Sequence, residues 1–416
     1  MSPAELSLAA LLVVIVVSLT SRINVGLLAI SLAAGVAVLF AGWTPNQLMG
    51  AFPGALFLTL AGVTLLFGVA QKNGTLEAIT LRVVRLCGSN AAVLPLAFFV
   101  LAGALSSVGP GAIAATALVA PLAMAAGVSA RIPAFLLALM VSNGANAGNL
   151  SPVSYVGIIV LTQMDGAGLA GHELAVFLAN FVAHSLVAIA AYLFFGGLGL
   201  MRAGRAAAAA APPPAFTRMH WLTIAVLSVW IVAVVAFRVD PGVSALAAAT
   251  LLIVLRAAEN NAAIGTVPWG IILMVSGVSV LIRVMDETGG LERFTTLLAS
   301  IATPGTANGV MAFVTGLIST YSSTSGVVYP AFLPTVPGLV EQLGGGNPLE
   351  ISLSINVGAA LVDVSPLSTI GALAVAALPS GYDDPAVLFR RMLIWGFSMT
   401  VAGALFCQLF IGFFAW

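Results

Sequence analysis

The chain has 416 residues, 61% of them hydrophobic and 7% charged, with 14 basic and 14 acidic side chains and no net charge. A water-soluble domain carries about 25% charged residues, so this chain cannot cover itself against water. The balanced charge gives no sign of nucleic acid binding. The composition is that of an all-α polytopic membrane protein. Its first apolar stretch lacks a basic lead-in and a cleavage site, and reads as a retained helix.

Apolar segments near 20 residues can span a hydrocarbon core of about 30 Å. In chain order they fall at about 6–20, 23–42, 55–71, 132–164 and 173–200, then at about 218–237, 239–256, 267–284, 349–379 and 386–413. The segments at 132–164 and 349–379 are interrupted. Ahead of each lies a pair of shorter apolar stretches around a small polar turn, 91–105 with 111–126 and 307–318 with 327–340. These read as re-entrant hairpins, at about 91–126 and 307–340, with two tilted crossings each as the alternative. Segments 75–86 and 290–300 are amphipathic and read as interfacial helices. Trp43, Trp221, Trp269, Trp395 and Trp416 read as interfacial anchors.

The second set of segments repeats the first. Asn149-Leu150-Ser151-Pro152-Val153-Ser154 aligns with Asp363-Val364-Ser365-Pro366-Leu367-Ser368, an offset of 214. Leu76-Glu77 aligns with Leu291-Glu292, and Ser106-Ser107-Val108-Gly109 with the turn around Ser319 to Gly326. Five spans per copy is odd, so the copies face opposite ways, as an inverted-topology repeat. An outside N-terminus puts Arg22, Lys72, Arg82, Arg85, Arg131, Arg202, Arg205, Arg218, Arg256, Arg390 and Arg391 inside. Only Arg238, Arg283 and Arg293 fall outside, which favours this orientation with both termini outside. Residues 202–217, rich in Ala and Pro, then form a cytoplasmic linker.

Non-helical backbone at membrane depth is tolerated only where protein buries it or a cavity is lined by it. A repeated pair of broken helices is therefore the best pointer to a transporter's binding site. Ser151 before Pro152 and Ser365 before Pro366 read as N-caps with proline at the first helical position. With the helices that follow the hairpin turns, four helix N-termini converge. They suit an anion, because backbone N–H groups hold a carboxylate without a buried cation. No lysine or arginine lies central in a span, so a multiply charged anion needs co-bound cations. Asn146, Asn149, Ser106 and Ser107 in one copy, and Ser322, Ser323, Thr324 and Asp363 in the other, offer hard oxygens that suit sodium. Asp363 is the one acidic residue deep in a span and reads as a cation ligand or proton carrier. The alternative for Asp363 is a capped carboxyl stabilising the break, and for the Ser/Gly set, close helix packing. His184 reads as a helix contact, with a proton relay as the alternative.

Other chemistry is excluded. Lys72 is the only lysine and follows no glycine-rich loop, so there is no P-loop. His172-Glu173 begins like a zinc-peptidase helix, but no histidine follows three residues after the glutamate. Cys87 and Cys407 lie in separate apolar stretches and read as inert core residues. With no nucleophile–base pair, the chain is not expected to be an enzyme.

The two hairpins with Ser/Thr-rich tips, each followed by a helix broken at Ser-Pro, resemble the ion transporter superfamily, which includes divalent anion/sodium symporters. The runs Ser322-Ser323-Thr324-Ser325-Gly326-Val327-Val328-Tyr329-Pro330 and Asp363-Val364-Ser365-Pro366-Leu367-Ser368-Thr369 look like those of MatC-type malonate and dicarboxylate carriers. That resemblance implies a homodimeric elevator in a bacterial cytoplasmic (inner) membrane. The scaffold would be 1–88 with 218–303, and the transport domain 89–201 with 304–416. The implied activity is import of a small dicarboxylate, malonate or a C4 acid, by symport. Sodium is the implied coupling ion and no other cofactor is expected. The sodium symporters carry Ser-Asn-Thr at each tip. Here Ser322-Ser323-Thr324 and Ser106-Ser107-Val108 both lack the asparagine, so protons stay open as the coupling ion. An exporter of arsenite or another anion on the same fold, and a channel, are the competing readings. The expected substrate residues are Ser106, Ser107, Asn149, Ser151, Ser323, Thr324, Ser365 and Ser368. The expected cation residues are Ser106, Asn143, Asn146, Gly148, Ser322, Thr324, Gly358, Ala360 and Asp363.

Overall fold

The structure, a computed structural model, describes residues 1–21, 23–86, 90–203 and 215–416. Arg22, Cys87, Arg205 and positions 204–214 of the expected linker lie outside the described residues. Helix is the only extended regular structure among the described residues. The first half contains α1 (Pro3–Thr20), α2 (Val25–Ala34, prolonged by a π segment Gly35–Phe40), α3 (Pro45–Gly50), α4 (Gly54–Lys72) and α5 (Thr75–Leu86). It continues with α6 (Leu94–Ser107), α7 (Gly111–Ala130), α8 (Ala134–Gly148), α9 (Tyr155–Gly166), α10 (Glu173–Phe194) and α11 (Gly197–Ala203). The second half holds α12 (Arg218–Phe237), α13 (Pro241–Val254), α14 (Asn260–Ile264), α15 (Trp269–Thr288), α16 (Gly290–Ala299) and α17 (Ala307–Ser319). It ends with α18 (Tyr329–Phe332), α19 (Val336–Leu343), α20 (Pro348–Leu361), α21 (Thr369–Ala376) and α22 (Pro385–Phe410).

Local chemistry sets many of these boundaries. Ser2 and Glu5 form a capping box at α1, and Thr217 and His220 another at α12. Asn24, Asp240, Asn347 and Asp384 cap α2, α13, α20 and α22 with side-chain oxygens on N–H groups of the first turn. Six stretches among the described residues are long and apolar enough to cross a membrane, and one of them, Pro348–Ala376, contains the interruption between α20 and α21. The other expected spans are shorter apolar helices, including Pro3–Ser18, Val25–Phe40, Arg218–Val234 and Pro241–Val254. The chain is thus a multi-pass membrane protein.

Packing sorts the helices into two groups. In one, α2 crosses α15 and α4 crosses α13, with α1 against α2, α15 and α16. Each half therefore packs on the other through corresponding helices. Glycine makes both crossings close. A Cβ on Gly26 would run into the Leu273 carbonyl and one on Gly277 into the Gly26 carbonyl; Gly62 and Gly242 stand in the same relation on the other crossing. In the second group α8 is flanked by α6, α7 and α10, and α20 by α17 and α22. The two sets join where α21 meets α7 and α8, and α10 meets α20.

Three expectations change. The second limb of the hairpin expected at 307–340 begins at Thr324 rather than 327, and it is not one helix. A π segment (Thr324–Val328), α18, a 3-10 turn (Leu333–Thr335) and α19 follow one another. Pro330, Pro334 and Pro337 remove backbone donors there, whereas α7 contains only Pro121 and stays continuous. Trp395 is no terminal anchor. It sits ten residues into α22, edge-on to Phe195 at 5.4 Å and Phe135 at 6.4 Å. The third change, in the caps of the broken helices, belongs to the site. Both expected amphipathic segments are helices. Arg82 of α5 lies 3.4 Å above the Phe216 ring, and Arg293 of α16 pairs with Glu5 at 3.4 Å.

Candidate functional site

The first broken helix ends α8 at Gly148 and restarts as α9 at Tyr155; the second ends α20 at Leu361, makes a 3-10 turn at Val362–Val364 and restarts as α21 at Thr369. The caps are Ser154 and Ser368, not Ser151 and Ser365. The prolines sit inside a turn instead of starting a helix. Ser154 N–H returns to the Ser151 carbonyl and Ser368 N–H to the Ser365 carbonyl, both at 3.0 Å. Only after that turn does the backbone become helical. Each cap hydroxyl donates back across the break, Ser154 to the Asn149 carbonyl and Ser368 to the Asp363 carbonyl. Each accepts from the N–H three residues on, Gly157 at 3.0 Å and Gly371 at 3.3 Å. Those two residues must be glycine, since a Cβ on Gly157 or Gly371 would strike the Ser151 or Ser365 carbonyl.

Asn149 and Asp363 occupy the same place in the two breaks and do different work. Asn149 Oδ1 accepts from Ala112 N–H at 3.0 Å, tying the first break to the start of α7. Asp363 Oδ1 accepts from Thr324 Oγ1 at 2.6 Å and lies 3.5 Å from Ser319 Oγ. Ser319 Oγ also donates to the Ala359 carbonyl at 2.9 Å and touches Thr324 Oγ1. Four close oxygen contacts therefore share two hydroxyl hydrogens. With Asp363 ionised, at least two contacts lack a proton. Such a set has room for a proton on the carboxyl or for a small cation among the oxygens.

Beside this cluster lies a cavity of about 310 Å³, at the small end of ligand pockets. Its polar wall is Asn149, Ser322, Ser323, Thr324, Ser325, Asp363, Ser368 and Thr369; Tyr155 and Tyr321 add aromatic hydroxyls. Ile113, Val156, Ile271, Met274 and Ile370 make the apolar wall, and Ser18, Ser21, Ile23 and Val25 close it from α1 and α2. Among the described residues, no lysine, arginine or histidine lines it. The N–H groups of Val156, Thr369 and Ile370, in the first turns of α9 and α21, have no acceptor among the described residues. Two helix N-termini thus face one cavity with free donors.

Of the expected site residues, the structure gathers Asn149, Ser322, Ser323, Thr324, Asp363 and Ser368 at the cavity. Ser106, Ser107, Ser151, Ser365, Asn143, Asn146, Gly148, Gly358 and Ala360 do not line it. Ser107 Oγ donates to the Gly103 carbonyl at 2.8 Å, and Ser106 Oγ is buried without a partner. Ser319, Tyr155 and Ser18 were not among the expected site residues. Ser319 could have been found as the repeat mate of Ser106, and Tyr155 as the residue after a cap whose mate is Thr369. Ser18 lies in an ordinary apolar span with no signal.

Residues 1–149 match the family model for the N-terminus of dicarboxylate carrier protein MatC. No curated protein matches the chain. Among solved structures, the YdaH transporter of Alcanivorax borkumensis is 16% identical with a TM-score of 0.58, over 88% of this chain and 87% of that one. MtrF of Neisseria gonorrhoeae, described with a class of antimetabolite efflux pumps, is 13% identical with a TM-score of 0.58, over 99% of this chain and 95% of that one. The fold is therefore one that solved transporters use.

Proposed function

We propose that the chain is a secondary active transporter that imports a small dicarboxylate, malonate or a C4 acid, by cation symport with an elevator movement. The observation that carries this reading is the cavity beside Asp363, with helix N–H groups on one wall that have no acceptor, and no basic side chain in its lining, among the described residues. A dianion there faces donors but also a carboxylate. It binds well only when a cation sits among Asp363, Thr324 and Ser319. Anion and cation then raise each other's affinity, which is the coupling a symporter needs. The family match over residues 1–149 supports a dicarboxylate as the anion.

The packing supports the elevator. We take α1–α5 with α12–α16 as a fixed scaffold, and α6–α10 with α17–α22 as the moving part, in two inverted copies. The exchanged crossings α2–α15 and α4–α13 are what two-fold related halves produce. The two parts meet where Ser322 Oγ contacts Ser18 Oγ at 2.9 Å, where Gly326 rests on Met274, and where Gln163 reaches Ser279 at 3.4 Å.

A second reading keeps the fold and changes the ion or the direction. The crowded oxygens at Asp363 accept a proton as readily as sodium, and the MtrF likeness keeps an exporter in view. Counterflow separates the cases: proteoliposomes loaded with malonate should take up labelled malonate, and external succinate but not arsenite should compete. Competition by arsenite alone would replace the dicarboxylate reading.

A further inference from the structure

A second chamber, of about 370 Å³, adjoins the cavity beside Asp363. Ile113, Tyr155, Ile271 and Thr369 line both spaces. The Tyr155 ring is at this junction and rests on Gly111, where a Cβ would come within 2.2 Å of Tyr155 Cε1. Phe67 and Gly68 of α4, Ala114 and Ala117 of α7, and Pro110 and Pro268 supply the other apolar walls of the chamber. Close packing accounts for Gly68, since a Cβ there would strike Thr266 Oγ1. It does not account for the two alanines: Ala114 is only half-buried and Ala117 is exposed.

The two spaces differ in chemistry. Among the described residues, no charged side chain lines the chamber. Thr64 Oγ1 donates to the Leu60 carbonyl at 2.7 Å and Thr266 Oγ1 to the Ala263 carbonyl at 2.6 Å, so neither hydroxyl has a hydrogen left for a ligand. Gln71, next to the end of α4, is exposed. The chamber therefore offers a carboxylate little to bind and water few partners, while hydrocarbon gains by entering it. Thr369 links the two spaces. Its N–H, in the first turn of α21, has no acceptor among the described residues, and the residue borders the chamber as well as the cavity. An anion held at that N–H has its carbon skeleton at the entrance to the chamber.

We propose that the chamber is a subsite for a hydrocarbon substituent on a dicarboxylate: the carboxylates lie in the cavity, and an alkyl or aryl group on the carbon between them lies past Tyr155 among Phe67, Ala114 and Ala117. This rests on the dicarboxylate reading and narrows it, making 2-substituted malonates better ligands than malonate itself. The test is competition for labelled malonate bound to the purified full chain in nanodiscs with sodium present. The competitors are malonate, 2-methylmalonate, 2-butylmalonate and 2-benzylmalonate. Half-inhibiting concentrations should fall along that series, by about 10- to 100-fold from malonate to 2-benzylmalonate. Ala114→Phe, which fills the chamber, should erase this gain and leave the value for malonate unchanged. Ala117→Phe, one turn further along α7, serves if Ala114→Phe does not fold. Half-inhibiting concentrations that stay level or rise along the series would mean that lipid or water fills the chamber. A gain that survives the filling substitution would put the substituent elsewhere. Either result would overturn the proposal while malonate still binds. Absence of saturable malonate binding would overturn the dicarboxylate reading first, and this subsite with it.

Discussion

Asp363 brings a carboxyl group into the interrupted apolar stretch Pro348–Ala376. A charge at the centre of a bilayer costs about 3 kcal/mol on insertion scales. A hydrogen bond to a charged group returns roughly 1.5–3 kcal/mol, so the Thr324 donor at 2.6 Å offsets much of that cost. Two outcomes follow at this scale. Asp363→Asn should abolish uptake or change its ion dependence while the protein still elutes as one folded species; identical uptake with identical ion dependence would remove Asp363 from coupling. Thr324→Ala removes the 2.6 Å donor and should raise the half-saturating cation concentration by about 10- to 100-fold. Measured cation titrations of transport decide this, and a change confined to substrate affinity would argue against it. Asn149, the mate of Asp363, accepts from Ala112 N–H instead and ties the first break to the start of α7.

The broken helices define the element scale. Gly157 and Gly371 let a carbonyl of the break lie against the first turn of the helix that follows. Alanine at either should force those elements apart, costing about 1–3 kcal/mol as overpacking and lowering the thermal midpoint. A midpoint equal to wild type for both variants would show that the breaks are not held this tightly. Much of this was legible in the sequence, because Ser-Pro inside a hydrophobic run has no packing purpose and its repetition at an offset of 214 marks it twice. The caps were misplaced by three residues because Pro152 and Pro366 fit either the first helical position or a preceding turn, and the downstream Ser154 and Ser368 decide which. The segmented second hairpin was legible in principle from three prolines spaced through it. The wall that α1 and α15 contribute to the cavity was not: Ser18, Ile271 and Met274 belong to plain apolar helices, and only tertiary packing brings them to the site.

At the scale of the whole molecule, three side-chain hydrogen bonds among the described residues join α6–α10 and α17–α22 to α1–α5 and α12–α16: Ser18 with Ser322, Gln163 with Ser279, and Gln342 with the Glu292 carbonyl. The proposed elevator movement must break them. In a background lacking Cys87 and Cys407, cysteines at Ser18 and Ser322 should cross-link under oxidation, stop uptake, and recover it on reduction. Cross-linked protein that transports at the uncrosslinked rate would rule out sliding along this surface. The account as a whole stands on one claim: the two breaks and the second hairpin's tip together hold an anion only beside a bound cation. The most direct measurement is accumulation of labelled malonate by proteoliposomes, with sodium and pH gradients imposed one at a time. The account predicts uphill accumulation driven by one of these gradients, the sodium gradient on the sodium reading, and lost in Asp363→Asn. Malonate that equilibrates without regard to either gradient, or accumulates equally well in Asp363→Asn, would contradict it.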